Sequence, residues 1–164
     1  MLQVKITEIS GLEGKDKLLV LHLEDNKISE IKGLDDLVSL EELNLGKNQI
    51  SEIKGLENLK TLYQLGLWDN NITELKGLDA LTKLRGLNFK NNQITEIKGL
   101  DNLIGLWGLG LRKNKITEIK GIQNKPDLVE IDLEENPINE KEIHLVKEED
   151  VKKIMAYCKE KSGK

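Results

Sequence analysis

The sequence predicts an α/β solenoid, in which one short unit is stacked repeatedly instead of folding around a single central core. Asparagine recurs at intervals of 22 residues, and the same frame of leucine and isoleucine recurs around each asparagine. The 22-residue unit is also short. Once a strand and a turn are formed, only about ten residues remain for the return to the next strand. The asparagines that set the period are Asn26, Asn48, Asn70, Asn92, Asn114 and Asn136.

Residues 1–17 are predicted to form an N-terminal cap that is a degenerate half repeat. Ile6 and Ile9 keep the apolar spacing of the full units, and Gly11 keeps their glycine. Lys15, in contrast, stands where the full units have an inward leucine. Such a departure is typical of a terminal unit, because the end of an open stack faces water.

Six repeats are predicted over residues 18–138, and each begins with a short strand of the pattern L-x-x-L-x-L. Alternation along this strand turns the apolar fourth and sixth residues inward and the third, fifth and seventh outward. We therefore expect a right-handed stack whose strands pair into a parallel sheet on the concave side. The repeats begin at Leu18, Leu40, Leu62, Leu84, Leu106 and Leu128.

The second half of each repeat is predicted to turn away from the sheet and return along the convex side. The asparagine amide both donates and accepts hydrogen bonds, so its repetition predicts a ladder of side chains that bond to the backbone at the bend. The convex segment is too short for a long helix, and short helical turns or irregular backbone are expected. One glycine position recurs there, which indicates a positive φ or close packing, at Gly33, Gly55, Gly77, Gly99 and Gly121.

Residues 139–164 are predicted to form a C-terminal cap. Between residues 147 and 161, Val151, Ile154 and Cys158 recur at helical spacing. This pattern predicts an amphipathic helix that covers the apolar end of the last repeat.

The composition gives no reason to expect nucleic acid or a membrane as a partner. The 29 acidic residues outnumber the 25 basic ones only slightly, and both kinds are interspersed. No apolar run is long enough for a membrane span, and the first residues do not resemble a signal peptide. The single cysteine, Cys158, cannot form an internal disulfide and fits a reducing compartment, so we expect a cytoplasmic location.

The sequence also argues against catalysis. Its two histidines, His22 and His144, lie far apart, and no group of residues has the spacing of metal ligands. A phosphate-binding loop and an activated serine motif are likewise missing. We therefore expect neither enzymatic activity nor a cofactor or metal ion.

The phrase LxxLxLxxNxIxxIxGLxxLxx over residues 5–138 resembles the short, 22-residue class of leucine-rich repeats, with its SDS22-like and internalin-like repeats. The ending ENPINEKEIHLVKEEDVKKIMAYCKE is similar to the C-terminal caps of Roco-type repeat domains. This resemblance implies a non-catalytic interaction module that binds a protein or peptide on its concave face. We expect the chain to be a monomer.

The outward strand positions of three consecutive repeats suggest where a partner binds. Aromatic and cationic residues occupy these positions, and such residues are enriched at binding hot spots. Adjacent strands lie roughly 4.8 Å apart, so the guanidinium of Arg85 is expected between the rings of Tyr63 and Trp107. The candidate contact residues are Tyr63, Trp68, Arg85, Asn88, Lys90, Trp107 and Arg112.

Glycines are predicted to form a low floor between these side chains, at Gly66, Gly86, Gly108 and Gly110. Each costs roughly 0.5–1 kcal/mol in a strand relative to alanine, so stability does not explain the four together. The hypothesis is that this hollow receives an anionic or aromatic group of a partner. Acidic residues at both ends of the face, among them Glu42, Glu130 and Asp132, could orient a partner, but we favour simple solvation.

Other interpretations stay open on the sequence alone. The aromatic rings could lie flat over neighbouring glycines and merely cover bare backbone. Separately, the unusual regularity of the repeats permits a consensus-like structural scaffold without a dedicated ligand. The chain could also be the recognition part of a phosphatase- or GTPase-regulating assembly.

Overall fold

The computed structural model describes residues 4–148 and 150–163 as a solenoid built on one six-stranded parallel sheet. Neighbouring strands pair in sequence order with a constant offset, so that Leu21 lies opposite Leu43 and Leu43 opposite Leu65. The predicted parallel sheet is therefore confirmed. The strands are β1 Val20–His22, β2 Glu42–Asn44, β3 Gln64–Gly66, β4 Gly86–Asn88, β5 Gly108–Gly110 and β6 Glu130–Asp132.

The core is a continuous column of aliphatic side chains that runs along the stack. Leu43 and Leu45, the fourth and sixth residues of their repeat, are fully buried, as alternation predicts. Phe89 takes one of these inward positions and is fully buried as well. Each fully buried side chain of this size contributes roughly 1.5–3 kcal/mol, so the repeated rows stabilise the solenoid without a central globular core.

The recurring asparagines form the predicted ladder. The Nδ2 of Asn70 donates to the carbonyl of Leu67, 3.1 Å away, and to that of Leu45 in the preceding repeat, 3.0 Å away. Its Oδ1 accepts from the N–H of Ile50, also in the preceding repeat, at 2.9 Å. Each ladder asparagine thus fastens two neighbouring repeats, and its role is structural.

A second backbone feature recurs one residue before each ladder asparagine. Lys47, for example, has a φ of 51°, although side chains rarely adopt this left-handed conformation. The conformation lets the N–H of Lys47 donate to the carbonyl of Trp68 in the next repeat, at 2.8 Å. The residues concerned are Asp25, Lys47, Asp69, Asn91, Lys113 and Glu135.

The convex side consists of turns and irregular backbone, and the part of the chain described before Ile143 contains no helix. The recurring glycines there have positive φ, as predicted, with 78° at Gly99. A Cβ on Gly99 would lie only 2.2 Å from the carbonyl oxygen of Leu75, so the preceding repeat also excludes a side chain.

Two helices close the C-terminal end, α1 Ile143–Glu148 and α2 Val151–Ser162. Asp150 begins α2 by accepting from the N–H groups of Lys152 and Lys153. The apolar side of α2 buries Ile154 and Cys158, which confirms the predicted capping helix. Helix α1 was not predicted. None of the described helices is long and apolar enough to cross a membrane. The boundaries of the cap and repeat segments, at residues 17 and 138, stay predictions.

A buried carboxylate fastens α2 to the fifth repeat. The side chain of Glu142 accepts from the N–H of Ile119 at 2.6 Å, from the hydroxyl of Tyr157 at 2.8 Å and from Lys161 Nζ at 2.5 Å. Burial raises the pKa of this carboxyl, but the hydrogen bonds outweigh burial and lower it from 4.5 to about 2. Glu142 is therefore ionised at neutral pH.

Candidate functional site

The concave face contains a hollow of about 430 Å³ that lies across β2 to β6. Its floor includes the four glycines of the predicted low floor. Polar and aromatic side chains from the outward positions form its walls. These wall residues are Glu42, Asn44, Gln64, Trp68, Asn88, Lys90, Trp107, Glu130 and Asp132.

The glycine floor is most open at Gly108. A Cβ on Gly86 would lie 3.0 Å from Gln64 Oε1, because that side chain leans over from the preceding repeat. At Gly108 the nearest atom outside the adjoining residues of the chain would be Glu130 Oε2, at 3.9 Å. Gly86 and Gly108 are direct partners in the sheet, so together they make a shallow depression two strands wide.

The seventh position of the repeats also presents backbone donors. In three repeats the fifth residue accepts from the N–H of the seventh, as Asn88 Oδ1 does from Lys90 at 3.1 Å. Gly66 and Gly110 occupy this fifth position and have no side chain to offer. Among residues 4–148 and 150–163, no acceptor is found for the N–H of Trp68 or Arg112.

Trp68 lies on the concave face but packs on the protein itself. A Cβ on Gly46 would come within 2.2 Å of the indole, so the ring covers the bare backbone of the preceding repeat. Lys47 Nζ lies 5.3 Å from the centre of the same ring. The alternative in which rings cover glycines therefore describes Trp68 well.

Trp107 differs from Trp68, because 53% of its surface is exposed beside the open floor at Gly108. In the described part of the chain, no cation lies over its ring. Tyr63 is also exposed on this face but does not line the hollow.

The predicted position of Arg85 between two aromatic rings is wrong. Its Nη1 donates to the carbonyl of Gly105, 2.6 Å away, shortly before β5 begins. Among the described residues, this guanidinium makes no cation–π contact with Tyr63 or Trp107. A charged hydrogen bond to a carbonyl contributes about 1.5–3 kcal/mol, whereas an exposed cation–π contact contributes about 0.5–1 kcal/mol. The hydrogen bond to Gly105 is therefore the more stable arrangement for Arg85.

Arg112 is likewise engaged within the protein. Its guanidinium pairs with the carboxylates of Glu134 and Glu135, the latter at 2.5 Å. The hydrogen bond to Glu135 and the charges of both acids raise the pKa of Arg112 despite partial desolvation. Arg112 does not line the hollow.

The structure thus brings four of the seven candidate residues together at the hollow: Trp68, Asn88, Lys90 and Trp107. Sequence analysis missed Asn44 and Gln64 as wall residues, and it assigned the acidic wall residues to solvation. The signal was present, because all of them occupy outward third or fifth positions of the second, third and sixth repeats.

Comparison with known proteins places the chain among repeat proteins. A family model described as Leucine Rich repeats (2 copies) matches residues 16–58. No curated protein sequence is significantly similar to the chain. Many solved structures are, including two internalins of Listeria monocytogenes and a leucine-rich repeat protein of Leptospira interrogans.

Internalin C2 is 30% identical, with a TM-score of 0.65, and the match covers 83% of this chain and 70% of that one. The internalin InlF is 29% identical, with a TM-score of 0.73, over 85% and 42% of the two chains. The Leptospira protein is 31% identical, with a TM-score of 0.75, over 87% and 36%. The chain therefore spans less than half the length of two of these three structures.

Proposed function

Because this chain belongs to the leucine-rich repeat proteins, we propose that it is a non-catalytic module that binds a partner protein or peptide in the hollow of its concave face. Leucine-rich repeat proteins generally mediate protein–protein interaction. The observation that carries the proposal is the open floor at Gly108 beside the exposed ring of Trp107.

Two properties of the hollow favour a polypeptide ligand. The N–H of Trp68, which lines the hollow, can donate to a peptide carbonyl, and the exposed ring of Trp107 can contact a side chain.

The alternative, a structural scaffold without a ligand, has one observation in its favour. Trp68 covers Gly46, so this pair is explained by packing alone. The same reasoning does not extend to Gly108 and Trp107, because no side chain of a neighbouring repeat covers this glycine and the ring of Trp107 is exposed. The scaffold hypothesis therefore explains one half of the hollow and not the other.

A variant that fills the hollow tests the proposal. Gly108→Tyr adds a ring where the nearest atom outside the adjoining residues lies 3.9 Å from the added Cβ, and tyrosine is favoured in strands, so the fold should be retained. Ile104→Tyr is the matched control, because Ile104 is exposed outside the hollow. Thermal unfolding followed by circular dichroism would verify that both variants are folded.

The assay is selection from a displayed library of random peptides against the unmodified chain. We expect the enriched peptides to bind Ile104→Tyr normally and Gly108→Tyr at least about tenfold more weakly. Equal binding to both variants would locate recognition elsewhere, and failure to enrich any peptide would favour the scaffold. A cytoplasmic location also remains a proposal, which fractionation of cells that express the chain would test.

A further inference from the structure

We infer that the hollow is selective for a positively charged side chain, a lysine or arginine of the partner, held over Gly108 between Trp107 and the carboxylates of Glu130 and Asp132. This inference rests on the proposed function and specifies the chemistry of its ligand. It reverses the expectation from sequence, which was an anionic or aromatic group. The reason lies in which charges the structure leaves available.

The charges that line the hollow are mainly negative. Three carboxylates, those of Glu42, Glu130 and Asp132, face one ammonium group, that of Lys90. The arginines that would have favoured an anion are used elsewhere, because Arg85 donates to a carbonyl and Arg112 pairs with two acids. A partner cation is therefore complementary to the charge of the hollow.

The acidic wall residues differ in how far they are already engaged. Glu42 accepts from His22 Nε2 at 2.8 Å, so it is partly occupied. Asp132 uses one oxygen to accept from the N–H of Glu134 at 3.1 Å. The side chain of Glu130 makes no hydrogen bond or ion pair with the described residues. Its carboxylate is the group from a neighbouring repeat that lies nearest to Gly108.

The aromatic wall points to the same class of ligand. The chain already places a cation over one indole, because Lys47 Nζ lies 5.3 Å from the ring of Trp68. Trp107 has the same kind of ring exposed, with no cation of the described chain over it. A cation over Gly108 would lie close to the carboxylate of Glu130, and Trp107, which lines the same hollow, can add a cation–π contact.

The position of the cation within the hollow also follows from the charges. Lys90 belongs to the fourth repeat and would repel an ammonium group there. Glu130 and Asp132 belong to the sixth repeat, on the other side of Gly108. The ligand is therefore expected on the side of β5 and β6, away from Lys90.

The test uses peptides that lose binding when Gly108 is replaced by tyrosine. We expect them to share a lysine or arginine, and replacing that residue by norleucine should weaken binding at least about tenfold. Glu130→Gln should weaken binding of the basic peptide about fivefold and leave the norleucine peptide unaffected. The matched control is Glu118→Gln on the convex side, which should leave both affinities unchanged.

The outcomes separate the inference from the proposed function. If the peptides that depend on the hollow lack a common basic residue, or bind Glu130→Gln as well as the unmodified chain, the cation inference fails and the peptide-binding function stands. If glutamate at the same peptide position binds better than lysine, the inference is overturned directly. If no peptide depends on Gly108, both proposals fail.

Discussion

Replacing Glu142 by glutamine should loosen the C-terminal cap, and the structure gives the size of the effect. The carboxylate is 1% exposed and accepts from Ile119, Tyr157 and Lys161. Glutamine keeps one acceptor oxygen but places an NH₂ group against donors. Breaking a buried ion pair costs about 3–5 kcal/mol, and the side chain of Lys161, 47% exposed, can return to water. We therefore expect the free energy of unfolding to fall by about 3 kcal/mol, the lower end of that range.

The pH dependence gives a second route to the same magnitude. The pKa of Glu142 is about 2 in the folded chain, against its ordinary value of 4.5. This difference corresponds to about 3 kcal/mol of stability. Because the pKa is lowered by folding, that stability is present above pH 4.5 and is lost as the pH falls toward 2. The Glu142→Gln variant should lack this part of the acid dependence.

Urea unfolding at several pH values would measure both effects. Circular dichroism reports mainly on α2, whereas the fluorescence of Trp68 and Trp107 reports on the repeats. We expect Glu142→Gln to lose the helical signal at lower urea, ahead of the tryptophan signal. Glu160→Gln is the control, because Glu160 is exposed on the same helix.

Two results would refute the reasoning. If Glu142→Gln and Glu160→Gln unfold at the same urea concentration at pH 7, the buried carboxylate does not hold the cap. If the stability of Glu142→Gln falls between pH 4.5 and 2 as steeply as that of the unmodified chain, another group is responsible for the acid dependence.

Three further predictions concern the repeats and the cap. Asn92→Ala should destabilise the chain by about 3 kcal/mol in urea unfolding, because four backbone groups lose a hydrogen bond to its side chain, while exposed Asn71→Ala should change little. Gly99→Ala should cost more than about 2 kcal/mol and Gly11→Ala about 1 kcal/mol, because only the former places its Cβ against backbone; equal costs would contradict this. Burial raises the pKa of the Cys158 thiol to about 11, so a thiol reagent at neutral pH should label it only after unfolding; rapid labelling of the folded chain would refute this.

The repeat architecture could be predicted from sequence because the period and the strand alternation give the same answer. Leucine spacing set the pairing of Leu21 with Leu43, and the asparagine period set the ladder. The positive φ of Gly99 followed from glycine chemistry. The positive φ of Lys47 could not be predicted, because the only sequence signal is that the residue before each ladder asparagine is polar.

The candidate site was predicted in position but not in charge. Sequence placed Arg85 and Arg112 on the concave face, where each could reach several partners within one strand spacing. Which partner is chosen depends on side-chain geometry, and the structure assigns one to Gly105 and the other to Glu134 and Glu135. The charge that the hollow presents to a ligand can be determined only once these bonds of the two arginines are known.

The asparagine ladder has a consequence for how such a chain can change in evolution. Each rung joins residues 20 and 25 positions apart, so it bonds only to its own repeat and the one before it. A duplication or deletion of 22 codons in frame would leave every remaining rung with an equivalent neighbour. A change within the stack that is not a multiple of 22 codons would disrupt a rung, so the stack grows or shrinks by whole repeats.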